Sequence, residues 1–187
     1  MKFTNRDGEI RFYDGTATPW YLKILFTGGD FQAPLGPPRP QETLVLDRQR
    51  LDANACYLRG SDAALLEPLP LDFSLHVTDH AAFVHLLDWL EGKSVNGHAM
   101  VTTKGSSQRD GATSTPAFAD PAKKCLDVEY RLDGPTADIV WKHHEVYFPL
   151  DQALLTESDG GVKVSLKGLV YGAVERAAAF TSGQAAA

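Results

Sequence analysis

Strict alternation of apolar and polar residues recurs along this chain, and it constrains the fold more than any other feature. Trp20, Leu22, Ile24 and Phe26 alternate with Tyr21, Lys23 and Leu25, and Leu71, Phe73, Leu75 and Val77 alternate with Asp72, Ser74, His76 and Thr78. Leu126, Val128, Tyr130 and Leu132 alternate with Asp127, Glu129, Arg131 and Asp133, and Val162, Val164 and Leu166 alternate with Lys163, Ser165 and Lys167. Successive side chains of a strand point to opposite faces, so each run predicts a strand with one face on a core and the other in water. Shorter runs at Glu9–Tyr13, Leu44–Asp47 and Ala55–Arg59 read as further strands. Gly28-Gly29 is expected to end the second strand. Pro34–Pro40, with four prolines in seven positions, is expected to be an exposed connecting loop, because proline removes backbone donors.

The run from Ile139 breaks the pattern. Ile139 and Trp141 share one parity while Val146 and Phe148 take the other, which calls for a bulge near His143-His144 or for burial of both faces. Ser158-Asp159-Gly160-Gly161 marks a tight turn before the Val162 run. One stretch has helical periodicity: Phe83, Leu86, Leu87 and Leu90 fall at i, i+3, i+4 and i+7, predicting a helix over about 79–91. Thr78 or Asp79 can cap its start and Gly92 can end it. The following 93–124 stretch is rich in Gly, Ser, Thr, Asp and Pro, and only His98–Thr103 resembles a strand. A loop that long is usually functional or disordered. Residues 177–187 are small and polar and are expected to fray. The inventory predicts a single, mainly β domain over 1–187. Its form is a β-sandwich or partly closed barrel with one flanking helix (about 79–91) and a long loop (about 93–124).

Composition narrows the function classes. A formal charge of −6 argues against a sequence-independent grip on nucleic acid, which relies on many Lys and Arg contacts to phosphate. No apolar run approaches the roughly 18 residues that span a bilayer, and MKFTNRDGE lacks the apolar core of a secretory signal, so a soluble protein made in the cytoplasm is expected. Cys56 and Cys125 are too few and too far apart for a disulfide framework or zinc cluster, and both are expected as free thiols. His143-His144-Glu145, with His98 elsewhere, is the nearest approach to a metal cluster. Neighbours on a strand face opposite ways, so the two histidines do not readily share an ion. His76, His80 and His85 are ordinary for a strand and a helix. Neither Gly28-Gly29-Asp30 nor Gly105-Ser106-Ser107 has phosphate-loop spacing, and no Gly-x-Ser-x-Gly elbow is present. Trp20, Trp141, Tyr147 and Phe148 read as core rather than as a sugar-stacking platform. No catalytic residue, cofactor or metal site is predicted.

The segment EVYFPLDQALLTESDGGVKVSLKGLVYG, residues 145–172, resembles the closing strands of bacteriophage tail tube proteins. In that family a strand ending near an aromatic residue is followed by a loop, a Gly-rich turn and a strand of the form V-x-V-S-x-x-G-x-x-Y-G. Val162, Val164, Ser165, Gly168, Tyr171 and Gly172 match that form. The order of elements elsewhere, a β-rich domain with one mid-chain helix and a long loop, is also similar to the family.

The resemblance implies a virion structural protein without enzymatic activity. Its copies would form rings, six subunits each as in the family, that stack into a tube for DNA passage. The implied location is the virion tail, after synthesis in the host cytoplasm. The implied partners are further copies of the chain and the tape-measure, tail terminator and tail tip proteins, with DNA passing unbound and no membrane involved. An acidic channel wall would avoid holding phosphate, which makes Asp127, Glu129 and Asp133 candidates for the lumen. The 93–124 loop is expected to be an assembly arm, with Met100, Val101 and Phe118 as anchors on a neighbouring subunit. The alternative class is a small-ligand or carbohydrate-binding β-barrel module.

Overall fold

The alternating runs pair into a sheet that closes on itself. The computed structural model describes residues 7–14, 18–46, 56–91, 93–99, 125–132, 138–158 and 161–186, with backbone alone for 7, 39–46, 56–67, 98–99, 132 and 158. Six strands make the barrel: β1 (Asp7–Tyr13), β2 (Trp20–Gln32), β5 (Leu69–Val77), β8 (Cys125–Leu132), β9 (Ile139–Tyr147) and β11 (Gly161–Val170). Their order is β11-β5-β2-β1-β8-β9, all antiparallel. The seam closes where Leu169 and Val170 of β11 pair with Tyr147 and Val146 of β9. The fold is therefore mainly β, and of the two forms expected it is the barrel.

The apolar parity of each run faces inward. Ile10, Phe12, Leu22, Ile24, Phe26, Leu71, Phe73, Leu75, Leu126, Val128, Val164 and Leu166 are all buried. At the centre Phe12, Phe73 and Phe148 form a triangle with ring centroids 5.9–6.0 Å apart, within the range where aromatic edges and faces attract. Phe31 stacks on Tyr130 at 4.1 Å beside them. The interior is thus filled by side chains.

Helix α1 (His80–Glu91) packs against β2 through Ala82, Phe83, Leu86, Trp89 and Leu90. Asp79 caps it, its Oδ1 accepting the amides of Ala81 (3.0 Å) and Ala82 (3.2 Å), as the sequence allowed. Gly92 lies outside the described residues.

Several expectations are corrected. Gly28-Gly29 does not end β2. Phe26 pairs with Val77 and Gly29 with Leu75, so one extra residue bulges and the strand runs on to Gln32. Gly29 has φ +136°, and a Cβ there would lie 2.3 Å from the Ser74 carbonyl oxygen, so the strand bends where only glycine fits. The proline stretch already enters a strand at Arg39. β3 (Arg39–Leu46) pairs with β4 (Cys56–Glu67) in a separate ribbon, with register shifts at Pro40 and Gln41. The start of the long loop is a hairpin, β6 (Ser94–Val95) and β7 (His98–Ala99), turned by Asn96 (φ 49°) and Gly97 (φ 84°). That is the Asn-Gly turn whose twist suits a two-residue hairpin.

Three strands were not expected. β10 (Leu154–Ser158) pairs with β11 beyond the seam, β12 (Val174–Ala177) pairs with β9, and β13 (Gln184–Ala185) lies parallel to the start of β2. The segment expected to fray is instead bonded to the barrel through residue 186. Its small side chains carry no periodic signal, but its peptide groups bond as well as any others.

Candidate functional site

Of the two readings of the parity change near His143-His144, a bulge or burial of both faces, the bulge is present, and it organises one side of the barrel wall. Leu126 pairs with Val146 and Val128 with His143, so two residues of β8 span three of β9. The extra residue is taken up by Glu145 at φ 53°, an uncommon conformation for a residue with a side chain. Asp127 holds it: Oδ1 accepts the Glu145 amide at 3.0 Å, and Oδ2 lies 3.1 Å from Nδ1 of His144. From the other side the Tyr171 and Gly172 amides donate to the carbonyls of Glu145 and His144, both at 3.1 Å. A Cβ on Gly172 would sit 2.6 Å from that His144 oxygen. Nε2 of His144 is 3.8 Å from Glu175. His143 points inward, where Nε2 donates to the Pro34 carbonyl at 3.1 Å. Burial lowers its pKa, against the opposing effect of that hydrogen bond.

Beside the bulge the outer faces of β1, β8 and β9 carry a row of charges. Register places Lys23 opposite Arg11, Arg11 opposite Glu129, Glu129 opposite Lys142, and Lys142 opposite Glu175. Opposite charges directly across strands attract, and Glu129 sits between two cations. Arg11 also pairs with Glu9 at 2.5 Å.

Residues 178–186 lie across this row. Thr181 donates its amide to Glu129 Oε2 at 2.8 Å and its hydroxyl to Oε1. Lys142 Nζ reaches the Thr181 hydroxyl at 2.6 Å and Glu129 at 3.3 Å. The Tyr13 hydroxyl donates to the Thr181 carbonyl at 2.9 Å. Burial raises the Tyr13 pKa, and the nearby Glu129 charge adds to the rise. Phe180 stacks on Arg11 at 4.2 Å and reaches Arg131 at 5.8 Å. Further on, the Gln184 and Ala186 amides donate to Pro19 and Tyr21, and Asn96 Nδ2 donates to the Ala186 carbonyl at 2.7 Å.

The acidic stripe predicted for a channel wall is therefore covered by the chain itself. Asp127 is 9% exposed and Glu129 2%, because the bulge and Thr181 take their oxygens. Asp133, Met100, Val101 and Phe118 lie outside the described residues, as does the side chain of His98. Cys125 is buried, and the side chain of Cys56 lies outside the described residues. Among the described residues no group of three His, Cys, Asp or Glu is placed to hold a metal ion.

A second surface was not read from the sequence. Among the described residues β10 is the last strand on its side of the sheet, and Leu154 and Leu155, on opposite faces, are 60% and 63% exposed. Leu150 in the preceding turn is exposed as well.

No family model matches the chain, and no curated protein sequence matches it. Among solved structures it aligns with a chain from one described as "Cryo-EM structure of the anti-feeding prophage (AFP) baseplate, 6-fold symmetrised". The alignment has a TM-score of 0.41 and 9% identity over 95% of each chain. A likeness at that level transfers no function.

Proposed function

We propose that the chain is a structural protein of a phage tail or tail-like particle. In the finer form of this reading it is a tail tube subunit that self-assembles into stacked, hexameric rings through which DNA passes. The role is mechanical rather than enzymatic. Its partners are other copies of itself and the tape-measure, terminator and tip proteins, within a virion tail assembled in the host cytoplasm. No helix among the described residues is long and apolar enough to cross a membrane.

The sequence resemblance supplies the class, and the observation that carries self-assembly is β10. A strand at the edge of the described sheet with bare leucines on both faces is what monomeric sheet proteins avoid. It gains most from a neighbouring copy. The resembling segment 145–172 contains this strand and the barrel seam. The ligand-binding alternative is the weaker reading, since the Phe12, Phe73 and Phe148 rings occupy the space a small molecule would need.

Negative-stain electron microscopy of concentrated protein tests the reading, with rings or tubes as the expected outcome. Protein that stays monomeric at every concentration sinks it. The double variant Leu154→Lys, Leu155→Glu should keep the native circular dichroism spectrum and melting temperature yet form no rings.

A further inference from the structure

We propose that the outer face of β1, β8 and β9, continued by the start of β2, is a peptide-binding groove. Its ligand is the chain's own segment 178–186, and in assemblies it takes that segment from a second copy. The trans step builds on the self-assembly reading; the groove itself does not.

The segment is attached as a bound peptide would be. From Ala177, paired with Val140 on β9, it crosses to Glu129 on β8 and Tyr13 on β1, and ends alongside Trp20 and Tyr21 on β2. Its contacts are backbone hydrogen bonds, the Thr181 cluster and a ring lying on guanidinium groups; Ala186 is its one buried apolar side chain. Removing it takes little from the core, and the six-strand closure uses none of its residues. The receiving groups are placed without it. Arg11, Glu129 and Lys142 are set opposite one another by strand register, so the groove is preorganised, which lowers the cost of binding. β13 adds to β2 by strand augmentation, a common mode of peptide capture.

A segment joined to its groove by the small residues Ala178 and Ala179 makes the same contacts whichever copy supplies it. That is the condition for exchange of an identical element between protomers. At the high local concentration of an assembly, the exchanged form links neighbours without any new surface.

The first test is a chain ending at Ala177, titrated with a fluorescent peptide of sequence AAFTSGQAAA. Saturable one-to-one binding is expected, weakened at least tenfold by Phe180→Ala with Thr181→Val in the peptide. A folded truncated chain that does not bind the peptide overturns the groove. Should the truncated chain not fold, a protease site placed at Ala178-Ala179 of the full chain is cut after folding. Excess labelled peptide should then displace the cut segment, and failure to displace it overturns the proposal. The second test places cysteines at paired positions, Tyr21→Cys with Ala185→Cys, and maps disulfides by mass spectrometry in concentrated protein, whether or not rings form. Links between chains support exchange, and links within one chain alone overturn the second copy as donor. Ring formation is scored separately by microscopy, so failure of the tail reading and failure of exchange are told apart.

Discussion

The two faces of β8 are both closed to water, by opposite means. Inward, Leu126, Val128 and Tyr130 meet a filled barrel of apolar and aromatic side chains. Outward, Asp127 and Glu129 meet a bulge, a lysine and the crossing segment. Apolar burial is non-directional and scales with area. Burial of carboxylates is tolerated only where each oxygen finds a donor. The inner face should therefore set how stable the barrel is, and the outer face should set what is fastened to it.

Truncation inside is the harshest way to test that division. Phe73→Ala removes a ring from the central triangle and leaves a cavity, a change that typically costs about 3–5 kcal/mol. Urea unfolding should show the extrapolated free energy of unfolding fall by that amount, with the midpoint lowered in proportion. On the outer face, Glu129→Ala removes the acceptor of two Thr181 donors and one partner of Lys142, for a loss of about 1–3 kcal/mol. Lys142 can turn to solvent, which limits the damage. If Glu129→Ala proves costlier than Phe73→Ala, the outer network is part of the barrel's foundation and the division fails.

A milder change sharpens the comparison. Thr181→Val keeps shape and the amide bond to Glu129 but loses the hydroxyl, worth about 1 kcal/mol. Because the loss falls on the crossing segment, hydrogen exchange should quicken at the Gln184 and Ala186 amides while β1 and β8 amides stay protected. Equal quickening in the strands would mean that segment and barrel open as one unit.

The same comparison explains what could be read from the sequence. Alternation located β1, β2, β5, β8 and β11 because their inner faces are apolar without interruption, and a change of parity between Trp141 and Val146 located the bulge. Alternation says which face is apolar. It does not say whether the other face meets water, so Asp127 and Glu129 looked solvated. Asp127 is covered by the bulge, and Glu129 by AAFTSGQAA, a stretch that binds through peptide groups every sequence possesses, with one ring and one hydroxyl to distinguish it. β10 was unreadable for a related reason: the adjacent Leu154-Leu155 breaks alternation, and neither side chain packs on the core. Asn96-Gly97 was a readable signal of the β6–β7 hairpin, hidden by the polar composition around it.

The smallest expected effect concerns His143, the one fully buried histidine among the described residues. His143 is buried with its ring edge toward Phe31 at 6.4 Å, and burial lowers its pKa in the folded protein. Above about pH 6.5, the ordinary histidine value, the side chain is neutral in both folded and unfolded states and contributes no pH dependence. As pH falls below that value the unfolded chain takes up a proton that the folded chain refuses, so stability falls with pH. The slope from this one group is at most about 1.4 kcal/mol per pH unit, continuing down to the lowered folded pKa. His143→Gln, whose amide can still donate to Pro34, should flatten that part of the acid limb while leaving the melting temperature at pH 8 within a few degrees. An unchanged slope between pH 6.5 and 5 would show that His143 takes up its proton in the folded barrel, and that the inner face is less closed to charge than its neighbours make it.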